Sequence, residues 1–180
     1  YPDRFHANMA FGQRHGFTYH RPFVTTGGWP APDGWEFAGA FMPWALEILP
    51  QVLDVAFDRY RLRASLTLFD GYNQFPTFEA QDAYVRQVCA ILLPRMHTIQ
   101  DVQIANEYWA TLWRQHPQGV QWLRAHARTV RELLGSNMVL SVSGRESAAG
   151  DGTYEEAVAE ARALLELDIV KYLLEKATGI

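Results

Sequence analysis

The sequence has a single cysteine, Cys89, in 180 residues. No intrachain disulfide can form, and C-x-x-C metal or redox sites are excluded. Cys89 falls on a helix face, where it reads as a small core residue. Five of the six histidines, His6, His20, His97, His116 and His126, lack metal spacing and read mostly as surface or loop positions, and no metal and no cofactor is expected. No apolar run is long enough to span a membrane, and no signal-peptide pattern opens the chain. The first residue is Tyr1 rather than Met, which leaves room for an upstream segment and leaves the compartment open. Basic charge is scarce as well. With a net charge of −4 there is no basic stripe, which argues against nucleic acid as a partner. Arg124, Arg128 and Arg131 have the spacing of a solvated helix face.

Aromatic residues are abundant, with six Trp, eight Tyr and ten Phe in a chain that is 48% hydrophobic. Core packing explains most of them. Trp29, Trp35, Tyr72, Trp109 and Trp113 fall in or beside expected loops, where flat rings can stack on the apolar faces of sugars.

Short apolar runs alternate with longer amphipathic stretches, the pattern of an α/β protein with a parallel sheet. Strands are expected over residues 17–25, 61–69, 99–105, 138–143 and 168–174. Pro22 counts against the first, because proline cannot donate to a ladder. Helices are expected over residues 3–15 (ended by Gly16), 41–59, 77–96, 117–134 and 153–166. Pro43 and Pro50 place the true start of the second helix, or a kink in it, near residue 50. Thr77 is suited to cap the third. Nothing divides residues 1–180, so a single domain is expected.

Neither G-x-G-x-x-G nor a Walker loop occurs, which disfavours an open nucleotide-binding sheet. Polar groups instead collect after successive strands, at 21–26, 70–73, Asn106-Glu107 and 141–145. That is where a (β/α)8 barrel carries its functional residues. A full barrel needs roughly 250 residues, so the expected fold is a partial TIM (β/α)8 barrel, about strands two to six. Other barrel segments, or another chain, would complete it.

The stretch 99–109, Ile-Gln-Asp-Val-Gln-Ile-Ala-Asn-Glu-Tyr-Trp, is the most informative in the sequence. An apolar strand ends abruptly in Asn106-Glu107, and two aromatics follow. With Tyr19-His20-Arg21-Pro22-Phe23 and the run from Leu66 to Tyr72, this stretch resembles the retaining (β/α)8 glycoside hydrolases of the cellulase and mannanase-like superfamily. The resemblance implies Glu107 as the acid/base and Asn106 as a ligand of the sugar 2-hydroxyl. It implies Arg21 as the support of the nucleophile. Trp29, Trp35, Asp70, Tyr72 and Trp109 are the further candidates for binding a poly- or oligosaccharide. Each has a plainer reading: Asp70-Gly71 as a turn, Asn106 as a strand-end residue, Arg21 in an ion pair with Asp70 or Glu107.

Retaining hydrolysis needs two carboxyl groups about 5–5.5 Å apart. The nucleophilic Glu belongs to the seventh strand of that superfamily, and residues 1–180 contain no counterpart. Glu175 lies too close to the sixth strand, and Leu173 stands where a His is often found. A non-catalytic carbohydrate-binding or structural module is therefore the alternative. A Schiff-base aldolase using Lys171 is a second enzyme class, but no neighbour is evident that would depress the lysine pKa. The resemblance leans toward a secreted or cell-surface protein. Alternation also sets a condition: Asn106 and Glu107 can face one site only if the strand ends or bulges there.

Overall fold

The structure is a computed structural model that describes residues 2–24, 44–69, 75, 77–106 and 117–141. In chain order the elements are α1 (Pro2–Arg14), β1 (Tyr19–His20), α2 (Trp44–Tyr60), β2 (Arg63–Phe69), α3 (Phe78–Leu92), β3 (Ile99–Ala105), α4 (Gly119–Leu134) and β4 (Leu140–Ser141); a 3-10 helix, Leu93–Thr98, joins α3 to β3. The strands form one parallel sheet in the order β1-β2-β3-β4. A doubly wound sheet reverses its strand order at a switch point. Here each strand pairs with the next, with a helix between, as the wall of a (β/α)8 barrel requires. The fold is α/β, an arc of such a barrel. The expected strand 168–174 and helix 153–166 lie outside the described residues.

Alternation along the strands produces two unlike faces. Leu66, Leu68, Val102, Ile104 and Leu140 are almost fully buried and share one core with Leu49 and Leu53 of α2, Val85, Val88 and Leu92 of α3, and Leu123, Ala127 and Val130 of α4. Ser65, Thr67, Asp101, Gln103 and Ser141 are also buried, yet polar. The register pairs Ser65 with Asp101, and aligns Thr67, Gln103 and Ser141 in one row. Residues paired across parallel strands share a face, so these side chains line the inner side of the arc. Ser141 Oγ donates to Asp101 Oδ2 at 2.9 Å, which satisfies part of the buried carboxylate.

Several boundaries differ from expectation. The first strand covers only Tyr19–His20, because Pro22 has no N–H to give. Its carbonyl still accepts from Thr67 N–H at 3.0 Å, and Val24 N–H returns to the Thr67 carbonyl at 3.1 Å. Phe23 thus bridges to Thr67 in the same register that pairs Tyr19 with Arg63. Helix α2 begins at Trp44 and runs through Pro50, rather than starting near residue 50. One missing backbone donor is outweighed by the burial of Leu49, Leu53, Ala56 and Tyr60 on its inner face. Helix α3 stops at Leu92 because Pro94 falls in the tighter turn that follows. Thr77 is its N-cap, accepting from Ala80 N–H at 3.2 Å. The last strand is shorter than 138–143 within the described residues.

Two side-chain readings also change. Of the three arginines read as a solvated face of α4, only Arg128 is exposed, while Arg124 and Arg131 are half-buried. His126 is fully buried instead of lying on the surface. Cys89 is buried on α3 as expected, and burial pushes its thiol pKa up to about 12. No described helix is long and apolar enough to cross a membrane.

Candidate functional site

Arg21 follows the last residue of β1, and Asn106 follows the last residue of β3. Both therefore sit at the C-terminal ends of parallel strands, the end of the arc where barrels place their chemistry. The backbone keeps β3 docked to β2 up to this point, with Asn106 N–H donating to the Phe69 carbonyl at 2.8 Å. Because the strand has ended, Asn106 escapes the alternation that turns Ile104 toward the helices. Its side chain turns to the same side as Gln103.

The Arg21 guanidinium joins three strands. Nε donates to Gln103 Oε1 at 2.9 Å and to Thr67 Oγ1 at 3.2 Å. Nη2 donates to the same Gln103 oxygen and, at 2.8 Å, to Asn106 Oδ1. Thr67 Oγ1 donates in turn to Gln103 Oε1 at 2.9 Å. Arginine offers only donors, so these bonds fix which end of each amide faces it: both Gln103 and Asn106 present oxygen. The guanidinium carbon also lies 4.8 Å from the centre of the Phe23 ring, a cation–π contact. Thr67 is fully buried and Gln103 nearly so, whereas Arg21 reaches the exposed end of the sheet.

Every acceptor in this set is neutral. Ion pairs among the described residues include Arg86–Asp82 and Arg95–Asp54, and no described carboxylate pairs with Arg21. His20, adjacent in sequence, adds no charge at neutral pH, since burial pushes its pKa down to about 4. Its Nε2 has no hydrogen-bond partner among the described residues. What the cluster can do is hold a fixed cation and an oriented amide at the sheet's mouth. An anion brought there is stabilised, and its pKa lowered, by the guanidinium.

Of the candidates from sequence, Arg21 and Asn106 are brought into direct contact. Glu107, Trp29, Trp35, Asp70, Tyr72 and Trp109 lie outside the described residues, as does Lys171. Gln103 and Thr67 were not among the candidates. A signal for them does exist: Thr67 follows Ser65, and Gln103 follows Asp101, at alternate spacing, a polar row on one side of each strand that marks an inward face distinct from the apolar core. A separate cavity of about 500 Å³ opens on the outside, where α3 and α4 begin, lined by Thr77, Phe78, Glu79, Gln118, Trp122 and Ala125. It holds none of the candidates.

No protein-family model matches the sequence, and no curated protein matches it. Solved structures do. The exo-β-1,4-mannosidase Op5Man5 from Opitutaceae bacterium strain TAV5 matches with a TM-score of 0.60 at 22% identity, over 78% of this chain and 27% of that one. The AHE enzyme from Alicyclobacillus herbarius matches with a TM-score of 0.50 at 13% identity, over 88% of this chain and 41% of that one. At these identities the likeness is one of fold. The chain spans well under two thirds of either neighbour's length.

Proposed function

We propose that residues 1–180 are the acid/base portion of a glycoside hydrolase-like barrel that cleaves a poly- or oligosaccharide with retention of configuration. The observation that carries this reading is the 2.8 Å contact between Arg21 Nη2 and Asn106 Oδ1 at the C-terminal strand ends. It joins two of the three residues for which the sequence resemblance implies catalytic-site roles, and the third, Glu107, is the next residue in the chain. The shared fold with an exo-β-1,4-mannosidase supports it further.

In this reading Glu107 protonates the glycosidic oxygen as the bond breaks, then removes a proton from the water that resolves the intermediate. Asn106 binds the sugar beside the reacting carbon. Trp29, Trp35, Asp70, Tyr72 and Trp109 supply stacking faces and polar contacts. The nucleophile is a carboxylate on a later strand, brought by the remainder of the polypeptide or by another chain, and Arg21 lies close enough to lower its pKa. Residues 1–180 act as one domain in that assembly.

The test is Glu107→Gln in the full-length protein. A positioned acid/base contributes about 10²–10⁴-fold. Hydrolysis of an unactivated oligosaccharide, starting with β-1,4-mannosides, should fall by about that factor, and cleavage of an aryl glycoside with a good leaving group should fall less. Unchanged rates on both substrates sink the assignment, as does a wild-type protein that hydrolyses no glycoside. Release of the inverted anomer, read by NMR, overturns the retaining mechanism.

A further inference from the structure

The guanidinium of Arg21 is held from below by a residue with no role in the proposed chemistry. Gln103 is almost fully buried on the inner face of β3, and its single Oε1 accepts from Arg21 Nε, Arg21 Nη2 and Thr67 Oγ1. Arginine has a long side chain with many rotamers. Two donors converging on one fixed acceptor restrict it to an orientation in which Nη2 also meets Asn106 Oδ1. A carboxylate could accept the same bonds, and in a buried setting would make the stronger pair. The site nevertheless uses an amide there. Asp101, two residues earlier on the same face, is turned to Ser141 rather than to the arginine. Among the described residues, the groups that hold the arginine in place are all neutral.

We propose that Gln103 is a positioning residue: its buried, uncharged amide oxygen fixes the Arg21 guanidinium against Asn106 without itself neutralising the guanidinium's charge. Thr67 assists by orienting the amide. This inference rests on the glycosidase reading for its consequence in catalysis, but not for its geometry.

Two variants of the full-length protein separate orientation from charge. Gln103→Glu preserves shape and the acceptor facing Arg21 and Thr67 but places a neutralising charge beside the guanidinium. Gln103→Leu removes the acceptor. Both should lower kcat by about tenfold or more with KM within about threefold, because the loss falls on charge that develops in the transition state. The melting temperature of Gln103→Glu should not fall. In an Arg21→Ala background Gln103→Leu should cost less than about twofold more, since residues acting as a unit are not additive. A folded Gln103→Glu protein that keeps kcat within about twofold of wild type overturns the proposal, as do independent, multiplying losses in the double variant. If wild type hydrolyses no glycoside, the glycosidase reading fails. Crystal structures of the variants then decide the geometric claim. Arg21 leaving Asn106 in Gln103→Leu supports it, and an unmoved guanidinium overturns it.

Discussion

His126 shows how a single buried group ties this fold to pH. The residue is fully buried on α4, its Nε2 lies 2.8 Å from Gln81 Oε1, and its ring stacks on Phe78 with centroids 5.1 Å apart. Gln81 oxygen needs a donor, which the neutral ring supplies. Charging the ring means placing a cation among Phe69, Phe78 and the core. Burial therefore pushes its pKa from 6.5 down to about 4, against a smaller opposing pull from Asp82. The unfolded chain takes up a proton near pH 6.5, while the folded one resists until about pH 4. Stability is thus fully present above pH 6.5 and falls through that window, by about 1.4 kcal/mol per pH unit at most. Urea titrations between pH 7 and 4.5 should show a shallower pH slope for His126→Gln than for wild type, and equal slopes would refute the assignment. The same residue marks a limit of sequence reading. Its burial depends on Phe69, Phe78 and Gln81 converging from two other elements, which spacing along one helix does not reveal. Gln103 differs, because its inward face could be read from strand alternation alone, while its partner Arg21, 82 residues away, could not.

At the scale of elements, periodicity located every described helix and strand, and local backbone chemistry set their ends. The strand Ile99–Ala105 was legible to the residue because an apolar-rich run, buried everywhere but at Gln100, ends abruptly at Asn106. The 17–25 strand and the start of α2 were not, since proline's effect depends on which neighbours can absorb a missing donor. Helix α2 ends before a strained residue. Arg61 has φ +58, the left-handed region, and its N–H and that of Leu62 close the last turn on the Phe57 and Ala56 carbonyls at 2.9 and 3.0 Å. A side chain there costs about 1–2 kcal/mol relative to glycine. Arg61 recovers part of this by placing its guanidinium 5.9 Å from the Phe57 ring, an exposed contact worth about 0.5–1 kcal/mol. Arg61→Gly should therefore stabilise the protein by up to about 1.5 kcal/mol, the largest difference of those terms. A lower denaturation midpoint in the variant would show that the arginine's contacts outweigh its strain.

The whole arc assigns its two sheet faces different work, and neighbouring residues of β3 separate the two. Ile104 points outward and is fully buried in the core shared by the strands and the three helices behind them. Asn106, two residues on, points to the mouth and accepts a side-chain bond from Arg21. Truncating a buried isoleucine removes transfer energy and leaves a cavity, so Ile104→Ala should cost about 2–5 kcal/mol. For a chain of this size each kcal/mol corresponds to about 2–4 °C in Tm. The exposed hydrogen bond to Arg21 that Asn106→Ala gives up is worth about 1 kcal/mol. In the glycosidase reading, however, the substitution removes both a substrate contact and a brace on Arg21, for which about a hundredfold loss of kcat/KM is expected. The two variants should therefore invert each other's phenotype: a large loss of Tm with near-normal rates in the surviving folded Ile104→Ala protein, and near-normal Tm with a large loss of rate in Asn106→Ala. Scanning calorimetry beside steady-state kinetics on one glycoside reads both. If Asn106→Ala lowers Tm as far as Ile104→Ala and leaves the rate alone, the mouth of the sheet is a structural joint rather than a site.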